Sequence, residues 1–460
     1  MKKNLLHVMA ANIFYMIVVA ATNFILPRFT TVETYAAVKS YTLYVSTYAE
    51  IVTLGYIQGV YIRYGGKKIE SISNKEIGSN LLTFMTLLLP IAGVVSIIGV
   101  VGNDIALTMF GAGLLASEVV MYFQFLYQAT GEFKVYGIAL NGSKVLVFFT
   151  YLILIWGFPK EIQALFVMAA PMACIFVAIY LCVQLNRRTG FLRHMRFSFV
   201  ELKTSIKDGF VIMVGNFVTS FFTTIDRWFV KVLMATIHFA YYSFAVSLEN
   251  IVNTFMRPIT VSMYNYFCHK PLDEDVRHIK DYSIMYSFIV IASAYPAKWI
   301  LETFMPDYLP ASAIIFPLFA AQAFATVIKG IYINKYKADG KQNQYFFQML
   351  GVLILAIIMN GVLYFIFKSM VAIAAATLIT NILWFVYCES SSPHIRCKLN
   401  TYIAIIIMLL IYLFTGHYMG SIVGCVLYCA AGLLCSVLLM NKTFKFLVTS
   451  VISTVLKKGK

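Results

Sequence analysis

The sequence predicts an all-α, polytopic membrane protein with about 14 transmembrane helices. Apolar stretches of roughly 20 residues, the length that a helix needs to cross a bilayer, alternate with short polar loops along the 460 residues. Hydrophobic residues make up 60% of the chain and charged residues only 12%. This composition excludes most soluble enzyme classes, and the short loops leave no room for a soluble catalytic domain.

The predicted spans follow one another with little sequence between them. The basic start Met1-Lys2-Lys3 resembles a signal peptide, but no small-residue cleavage site follows, so we expect the first apolar run to remain as a span. The spans are predicted at 8–27, 36–62, 79–101, 105–130, 135–157, 162–185, 208–231, 239–262, 283–304, 310–333, 345–367, 371–388, 401–415 and 420–440.

Basic residues predict the orientation of the chain. Most of the 36 Lys and Arg residues, Lys280 among them, lie on the side that holds the N-terminus. The other side carries only Arg28, Lys160, Arg227, Lys231 and Lys368. This asymmetry follows the positive-inside rule and predicts that both termini are cytoplasmic. The net charge of +16 is therefore topological, and we expect no nucleic-acid partner.

A long basic loop at 186–207 divides the chain into two halves. We predict an N-terminal lobe at 1–200 with six spans and a C-terminal lobe at 201–388 with six more. Residues 389–460 would form the last two spans and a basic cytoplasmic tail. A short echo, Ala11-Asn12 in the first span and Gly215-Asn216 in the seventh, agrees with halves that are repeats. Such repeats are common in secondary transporters.

Four spans carry polar residues at helical spacing. Because polar side chains cost free energy in the bilayer unless they face a partner or water, these stripes predict water-accessible faces, although a single Ser or Thr can instead bond to its own helix. They lie in the first two spans of each predicted lobe, which favours a cavity between the lobes. The stripes are Asn12, Tyr15, Thr22 and Asn23; Lys39, Thr42, Ser46, Glu50 and Thr53; Asn216, Thr219, Ser220, Thr223 and Thr224; and Glu249, Asn253 and Arg257.

Other charges lie inside predicted spans. Lys298 and Lys329 lie toward span ends, where we expect their long side chains to extend to the interface. Lys144 lies deeper, and Glu118 on the neighbouring span is its candidate partner. The cavity has more bases than acids, which favours an anionic substrate. The candidate substrate-binding residues are Arg28, Lys39, Glu50, Lys144, Asn216, Asp226, Arg227, Glu249, Asn253 and Arg257.

Glu50 and Glu249 are also candidates for ion coupling. A membrane-embedded carboxyl group can be neutral in one conformation and ionised in another, so a gradient of H⁺ or Na⁺ could bias the two. A salt bridge that closes a gate explains the same residues equally well. The sequence predicts no metal site and no cofactor.

The chain resembles the Wzx-type oligosaccharide flippases, polysaccharide-biosynthesis proteins of the multidrug/oligosaccharidyl-lipid/polysaccharide (MOP) exporter superfamily. The resemblance spans nearly the whole chain. It is carried by Leu-Pro-Arg at 26–28, Glu-Thr-Tyr-Ala-Ala-Val at 33–38, the segment 54–64, Asp-Arg-Trp-Phe-Val at 226–230 with Tyr-Tyr-Ser-Phe-Ala-Val at 241–246, and the segment 332–341.

The resemblance implies a MATE- and MurJ-like architecture that works by alternating access in the bacterial plasma membrane. Its substrate would be an undecaprenyl-pyrophosphate-linked oligosaccharide, whose pyrophosphate would meet Arg257, Lys39 and Arg28 in a cationic cavity. Tyr15 and Tyr41 would stack on the sugars. Membrane lipids and glycan-assembly proteins are the other implied partners.

Three alternatives remain open. A cation-coupled MATE-type multidrug exporter predicts about twelve spans and an acid-rich cavity. A membrane-bound polymerase or ligase needs a large external loop, whereas the predicted external loops are short. A subunit without transport activity leaves the polar stripes without a purpose. We therefore expect a transporter and not an enzyme.

Overall fold

The computed structural model describes the backbone of residues 2–441, 443–445 and 449. It describes side chains over the same residues from 16 onward, except at 133, 255, 257–262, 265 and 342. The described residues form helices joined by short turns, with no strand among them. They divide into two compact units, Met1–Thr224 (unit 1) and Ile225–Lys460 (unit 2).

Unit 1 contains the first eight α-helices. They are α1 (Lys2–Phe29), α2 (Val32–Val52), α3 (Tyr56–Tyr64), α4 (Asn74–Val101), α5 (Ile105–Ala129), α6 (Phe133–Gly157), α7 (Gln163–Thr189) and α8 (Phe199–Phe222).

Unit 2 contains the other ten. They are α9 (Ile225–Leu233), α10 (Thr236–Cys268), α11 (Asp273–Ile291), α12 (Ala294–Phe304), α13 (Ser312–Val327), α14 (Asn334–Ala338), α15 (Gln342–Phe367), α16 (Met370–Ser391), α17 (Leu399–Tyr418) and α18 (Ser421–Leu439).

The predicted all-α, polytopic membrane fold is confirmed. Ten helical segments among the described residues are long and apolar enough to cross a membrane, or up to eleven if the broken pair α8 and α9 is one span. Helices occupy all fourteen predicted positions, and the count of fourteen spans remains a prediction. The division into lobes at residue 200 also remains a prediction. The boundary between the two compact units lies after residue 224 in the sequence.

The predicted second span is two helices, α2 and α3, separated by a tight turn. Leu54 and Gly55 both adopt left-handed backbone conformations there, with φ of 49° and 83°. The predicted seventh span is likewise interrupted, between α8 and α9. A uniform apolar pattern does not reveal such breaks, since the residues on both sides keep the composition of a span.

Helices α3 and α8 of unit 1 lie in backbone contact. A Cβ atom at Gly209 would lie 1.9 Å from the carbonyl oxygen of Gly55, and one at Gly59 would lie 2.1 Å from that of Ser205. Both helices therefore present two small residues four positions apart, the spacing that allows close helix pairs in membranes. Next to this contact, the Arg63 guanidinium donates to the Glu201 carboxylate and, at 3.0 Å, to the Ser205 hydroxyl.

Helix α13 forms the centre of unit 2. All but three of its 16 residues, the exceptions lying near its start, are buried. A π-helical turn at Ile328–Ile333 follows α13 and leads directly into α14. Such turns are rare and are frequent at functional sites.

A buried polar network joins α11, the π-helical turn, α16 and α17 in unit 2. The fully buried Lys280 ammonium donates to the Glu389 carboxylate at 2.5 Å and to the Tyr332 hydroxyl at 3.1 Å. Glu389 also accepts from the Tyr402 hydroxyl at 2.5 Å and from the Cys397 backbone N–H at 2.8 Å. Lys280, which is counted among the bases that predict the orientation, is therefore balanced by Glu389 inside unit 2, and the orientation remains a prediction.

Lys298 lies near the end of its predicted span, and its extension to the interface remains a prediction. Its ammonium donates to the backbone carbonyls of Gly416 at 2.9 Å and Met419 at 2.7 Å. These carbonyls lie at the C-terminal end of α17, where a cation satisfies groups that lack a partner inside the helix. Lys298 therefore stabilises the end of a neighbouring helix.

Candidate functional site

The first polar cluster, which we call the unit 1 acid cluster, comprises Glu50, Gln58, Glu118 and Asn216. Glu50 is half-buried on α2, and its Oε2 accepts from Gln58 Nε2 at 2.6 Å and from Asn216 Nδ2 at 3.5 Å. The turn at Leu54 and Gly55 lets Gln58 reach back to Glu50. The close contact of α3 with α8 positions the helix that carries Asn216.

Glu118 lies on α5 and is only 2% exposed. No residue that the structure describes donates a hydrogen bond to its carboxylate, and its Oε2 is buried without a partner. Another acid, Glu50, lies within electrostatic reach of it. The predicted pairing of Glu118 with Lys144 is therefore wrong, and Lys144 is exposed on α6.

Lys39 lies on α2 with Glu50 but has other partners. Its ammonium donates to Asn23 Oδ1 on α1 at 3.0 Å and lies 5.2 Å from the centre of the Tyr35 ring. The α2 stripe therefore carries a half-buried base and a half-buried acid, each held by a different neighbour.

Many hydroxyl groups of the stripes bond to their own helices. Thr42 donates to the Val38 carbonyl at 2.9 Å, Thr219 to Gly215 at 3.0 Å, and Thr22 to Val18 at 2.8 Å. For these residues, the hydroxyl group therefore bonds to its own helix, which is the alternative to a water-facing role. The stripes are real as helix faces, but their hydroxyl groups do not by themselves indicate a water-filled surface.

The second cluster, the unit 2 charge cluster, comprises Asp226, Arg227, Glu249 and Lys329. Asp226, 7% exposed in the first turn of α9, accepts from the Arg227 backbone N–H at 2.7 Å and from the Tyr242 hydroxyl of α10 at 2.9 Å. A carboxylate at a helix start is favoured by the free N–H groups there. These bonds hold the start of α9 against α10.

The other three members of this cluster are poorly satisfied. Glu249 is half-buried on α10, within electrostatic reach of Asp226, Arg227 and Lys329. The buried Arg227 Nε has no partner, and no hydrogen bond or ion pair with a described residue holds the Lys329 ammonium. Ionisable groups that lack partners within a membrane-spanning fold mark functional sites.

Lys329 and Tyr332 both belong to the π-helical turn. Lys329 lies near Glu249 of the unit 2 charge cluster, whereas Tyr332 donates to Glu389 of the buried network. The π-helical turn therefore contacts both the unit 2 charge cluster and the buried network around Glu389. Lys329 is half-buried at this place, and its extension from a span end to the interface remains a prediction.

The structure brings together only some of the predicted residues. Glu50 lies with Asn216, and Asp226 and Arg227 lie with Glu249, whereas Arg28 and Asn253 are exposed. The side chains of Arg257 and Tyr15 lie outside the described residues. Tyr41 is 6% exposed, so it packs inside unit 1 and is wrongly predicted as a platform for sugars.

Sequence reasoning missed Gln58 and Lys329 as members of these clusters. Gln58 follows the break between α2 and α3, so its helical phase cannot be extrapolated from Glu50. Lys329 lies in the π-helical turn, which shifts the phase of the residues after it. No set of three or more His, Cys, Asp or Glu residues that could hold a metal ion occurs in the described part of the chain.

The fold is shared with solved transporter structures. The lipid II flippase MurJ in an inward closed conformation superposes with a TM-score of 0.70 and 13% sequence identity, covering 95% of this chain and 99% of MurJ. The MATE multidrug transporter DinF-BH superposes with a TM-score of 0.52 and 14% identity, covering 84% of this chain and 93% of the transporter. No family model and no curated protein sequence matches the chain. The fold is thus that of MurJ and MATE transporters.

Proposed function

We propose that the chain is a flippase that moves an undecaprenyl-pyrophosphate-linked oligosaccharide repeat unit across the bacterial plasma membrane for surface polysaccharide biosynthesis. It works by ion-coupled alternating access, with both termini in the cytoplasm. The observation that carries this proposal is the pair of cations in unit 2, Arg227 and Lys329, whose side chains lack bonding partners among the described residues.

These two cations suit a phosphate-bearing substrate. A guanidinium group binds phosphate oxygens through two parallel hydrogen bonds, while an ammonium group acts as a compact point charge. Glu249 and Asp226 balance the charge when no anion is bound. An arriving pyrophosphate would compete with these acids for Arg227 and Lys329.

Similarity of fold supports a flippase over a drug exporter, because the superposition with the flippase includes more of this chain. It covers 95% of the chain with MurJ and 84% with DinF-BH. The MATE-type exporter is the second candidate, and the unit 1 acid cluster favours it, since acids suit cationic drugs.

Deletion of the gene in its own host separates these functions. The flippase proposal expects lipid-linked repeat units to accumulate in the inner leaflet while the surface polymer is lost. Mass spectrometry of the lipid-linked intermediates would identify the sugars. An unchanged glycan profile together with increased drug sensitivity would favour the exporter.

Arg257 is a further candidate for contact with the pyrophosphate. We expect Arg257→Ala to abolish export while the protein still inserts in the membrane, and Arg257→Lys to restore part of the activity because it keeps the charge but not the paired hydrogen bonds. Export and membrane content would be measured in the deletion strain. Normal export by Arg257→Ala would remove Arg257 from the site.

A further inference from the structure

We propose that Glu118, Glu50 and Gln58 form a binding site for a small monovalent cation inside unit 1, with Na⁺ as the ion to test. This inference deepens the ion coupling in the proposed function and rests on it for its biological role. The site itself is argued from the groups that unit 1 leaves unsatisfied.

Two of the three residues present buried oxygen atoms with no donor. Glu118 is 2% exposed and its Oε2 has no hydrogen-bond partner. Gln58 is also 2% exposed, and its Oε1 has none. Buried polar atoms are nearly always satisfied, so two unpartnered acceptors in one cluster indicate that a hydrogen-bond donor or a cation belongs there.

The orientation of the Gln58 amide ties the two observations together. Its Nε2 donates to Glu50 Oε2 at 2.6 Å, which places the amide oxygen next to the Glu50 carboxylate. Helix α5, which carries Glu118, packs against both α2 and α3, and Glu118 lies within electrostatic reach of Glu50. Three helices, α2, α3 and α5, thus contribute a carboxylate, an amide oxygen and a second carboxylate to one region.

Within the described part of the chain, these two acids have no paired cation. Among the described residues, no Lys or Arg forms an ion pair with Glu50 or Glu118. The other titratable groups facing Glu118 are the Tyr41 phenol on α2 and the Cys174 thiol on α7. Lys144 on α6 also lies near Cys174 but forms no ion pair with Glu118. A fully buried carboxylate beside a half-buried one, with no counter-charge, is unfavourable.

The donor set fits a hard cation. Carboxylate and amide carbonyl oxygens are the ligands that such cations prefer, and the amide nitrogens of Gln58 and Asn216 already hold Glu50 Oε2 in position. A bound cation would satisfy the free oxygen of Gln58 and the carboxylate of Glu118 together. It would also join three helices of unit 1.

The test uses the purified full-length protein in detergent with no substrate. Its melting temperature is measured at fixed pH while Na⁺ replaces choline at constant ionic strength, and binding is measured directly with radioactive ²²Na⁺. A ligand that binds only the folded state raises the melting temperature with its concentration. We therefore expect a saturable rise for the wild-type protein and saturable ²²Na⁺ binding.

Variants define the residues. Glu118→Gln should lose the Na⁺-dependent rise and ²²Na⁺ binding, and it should melt no lower than the wild type without Na⁺ because a buried unpaired charge is removed. Gln58→Met should weaken the response by removing one oxygen ligand at similar volume. Glu161→Gln, which removes an exposed acid, is the matched control and should respond like the wild type.

Three results would overturn the cation site. They are a wild type that neither binds ²²Na⁺ nor responds to it, a Glu118→Gln variant that keeps the full response, and a stability that follows pH equally in Na⁺ and choline. The last result would assign protonation to Glu118 instead. Because no lipid substrate is present, each of these leaves the flippase proposal to be decided by the deletion experiment.

Discussion

The two units differ in whether their buried charged groups have bonding partners. Unit 1 brings helices α3 and α8 together through glycine and leaves the acids Glu50 and Glu118 without a cationic partner among the described residues. Unit 2 surrounds the buried pair Lys280 and Glu389 with donors and acceptors.

This difference separates groups that hold the fold from groups that are available for a ligand. A buried ion pair is stable only when its remaining bonding capacity is satisfied, as it is around Glu389. The poorly satisfied groups, Glu118 in unit 1 and Arg227 and Lys329 in unit 2, lack such bonds among the described residues. They are therefore the better candidates for binding, and burial of charge by itself does not identify a site.

The largest effect is expected from breaking the buried pair of unit 2. Lys280→Met leaves Glu389 buried without its counter-charge and should lower stability by about 3–5 kcal/mol. Lys335→Met, which breaks a partly exposed pair with Asp339 at 3.6 Å, should cost about 1 kcal/mol or less. Thermal unfolding in detergent measures both. Equal losses of stability for the two variants would mean that the buried network does not stabilise the packing of its helices.

A smaller loss of stability is expected when the close contact of α3 and α8 in unit 1 is disrupted. Gly209→Ala places a methyl group 1.9 Å from the Gly55 carbonyl oxygen, and overpacking of this kind costs about 1–3 kcal/mol. Gly215→Ala on the same helix is the matched control, since nothing lies within 4 Å of its Cβ position. That variant should melt no lower than the wild type, because Ala favours the helix. Equal stability of the two variants would contradict a close α3–α8 contact.

The free cations of unit 2 should affect export more than folding. Arg227→Ala removes charged hydrogen bonds to the substrate, each of about 1.5–3 kcal/mol, so export should fall at least about tenfold. Lys329→Ala should lower it as well, while Lys368→Ala, at an exposed turn, should not. Export of labelled repeat units in the deletion strain is the measurement, with melting temperature as the control. A parallel loss of export and stability would assign the two cations to the fold.

The smallest effect is expected from a neutral replacement of one acid. Glu50→Gln keeps the shape of the side chain and its contacts with the neighbouring amides while removing its charge. We expect reduced export that no longer varies with pH or Na⁺, whereas Glu249→Gln tests the corresponding role in unit 2. Transport into vesicles with imposed pH or Na⁺ gradients measures this dependence in both variants. Unchanged dependence on both ions would leave Glu50 with a structural role.

Sequence patterns located part of the candidate site. Intramembrane charge indicated Glu50, Asp226, Arg227 and Glu249, because such groups are costly unless they have a role. Lys280, which lies outside the predicted spans, is buried and paired with Glu389, and Glu118, the expected partner of Lys144, has no partner for its Oε2 among the described residues. The pairing of two charges depends on which helices pack together, and helix spacing within one span does not contain that information.

The sequence contains two pairs of small residues four positions apart, Gly55–Gly59 and Ser205–Gly209. Small residues four apart indicate that a helix can approach another closely, but they do not name the partner helix. The structure supplies the partner, α8 for α3. The contact then explains how Asn216 is positioned near Glu50.

The sequence by itself determined that this is a helical membrane protein, where its helices lie and which spans carry charge. These properties depend on local composition, since a bilayer requires long apolar helices with internally satisfied backbones. The tertiary structure decided which charges meet. The turn at Leu54 and Gly55 and the π-helical turn at Ile328–Ile333 change the direction or phase of the chain, so Gln58 and Lys329 reach acids that no fixed spacing predicts.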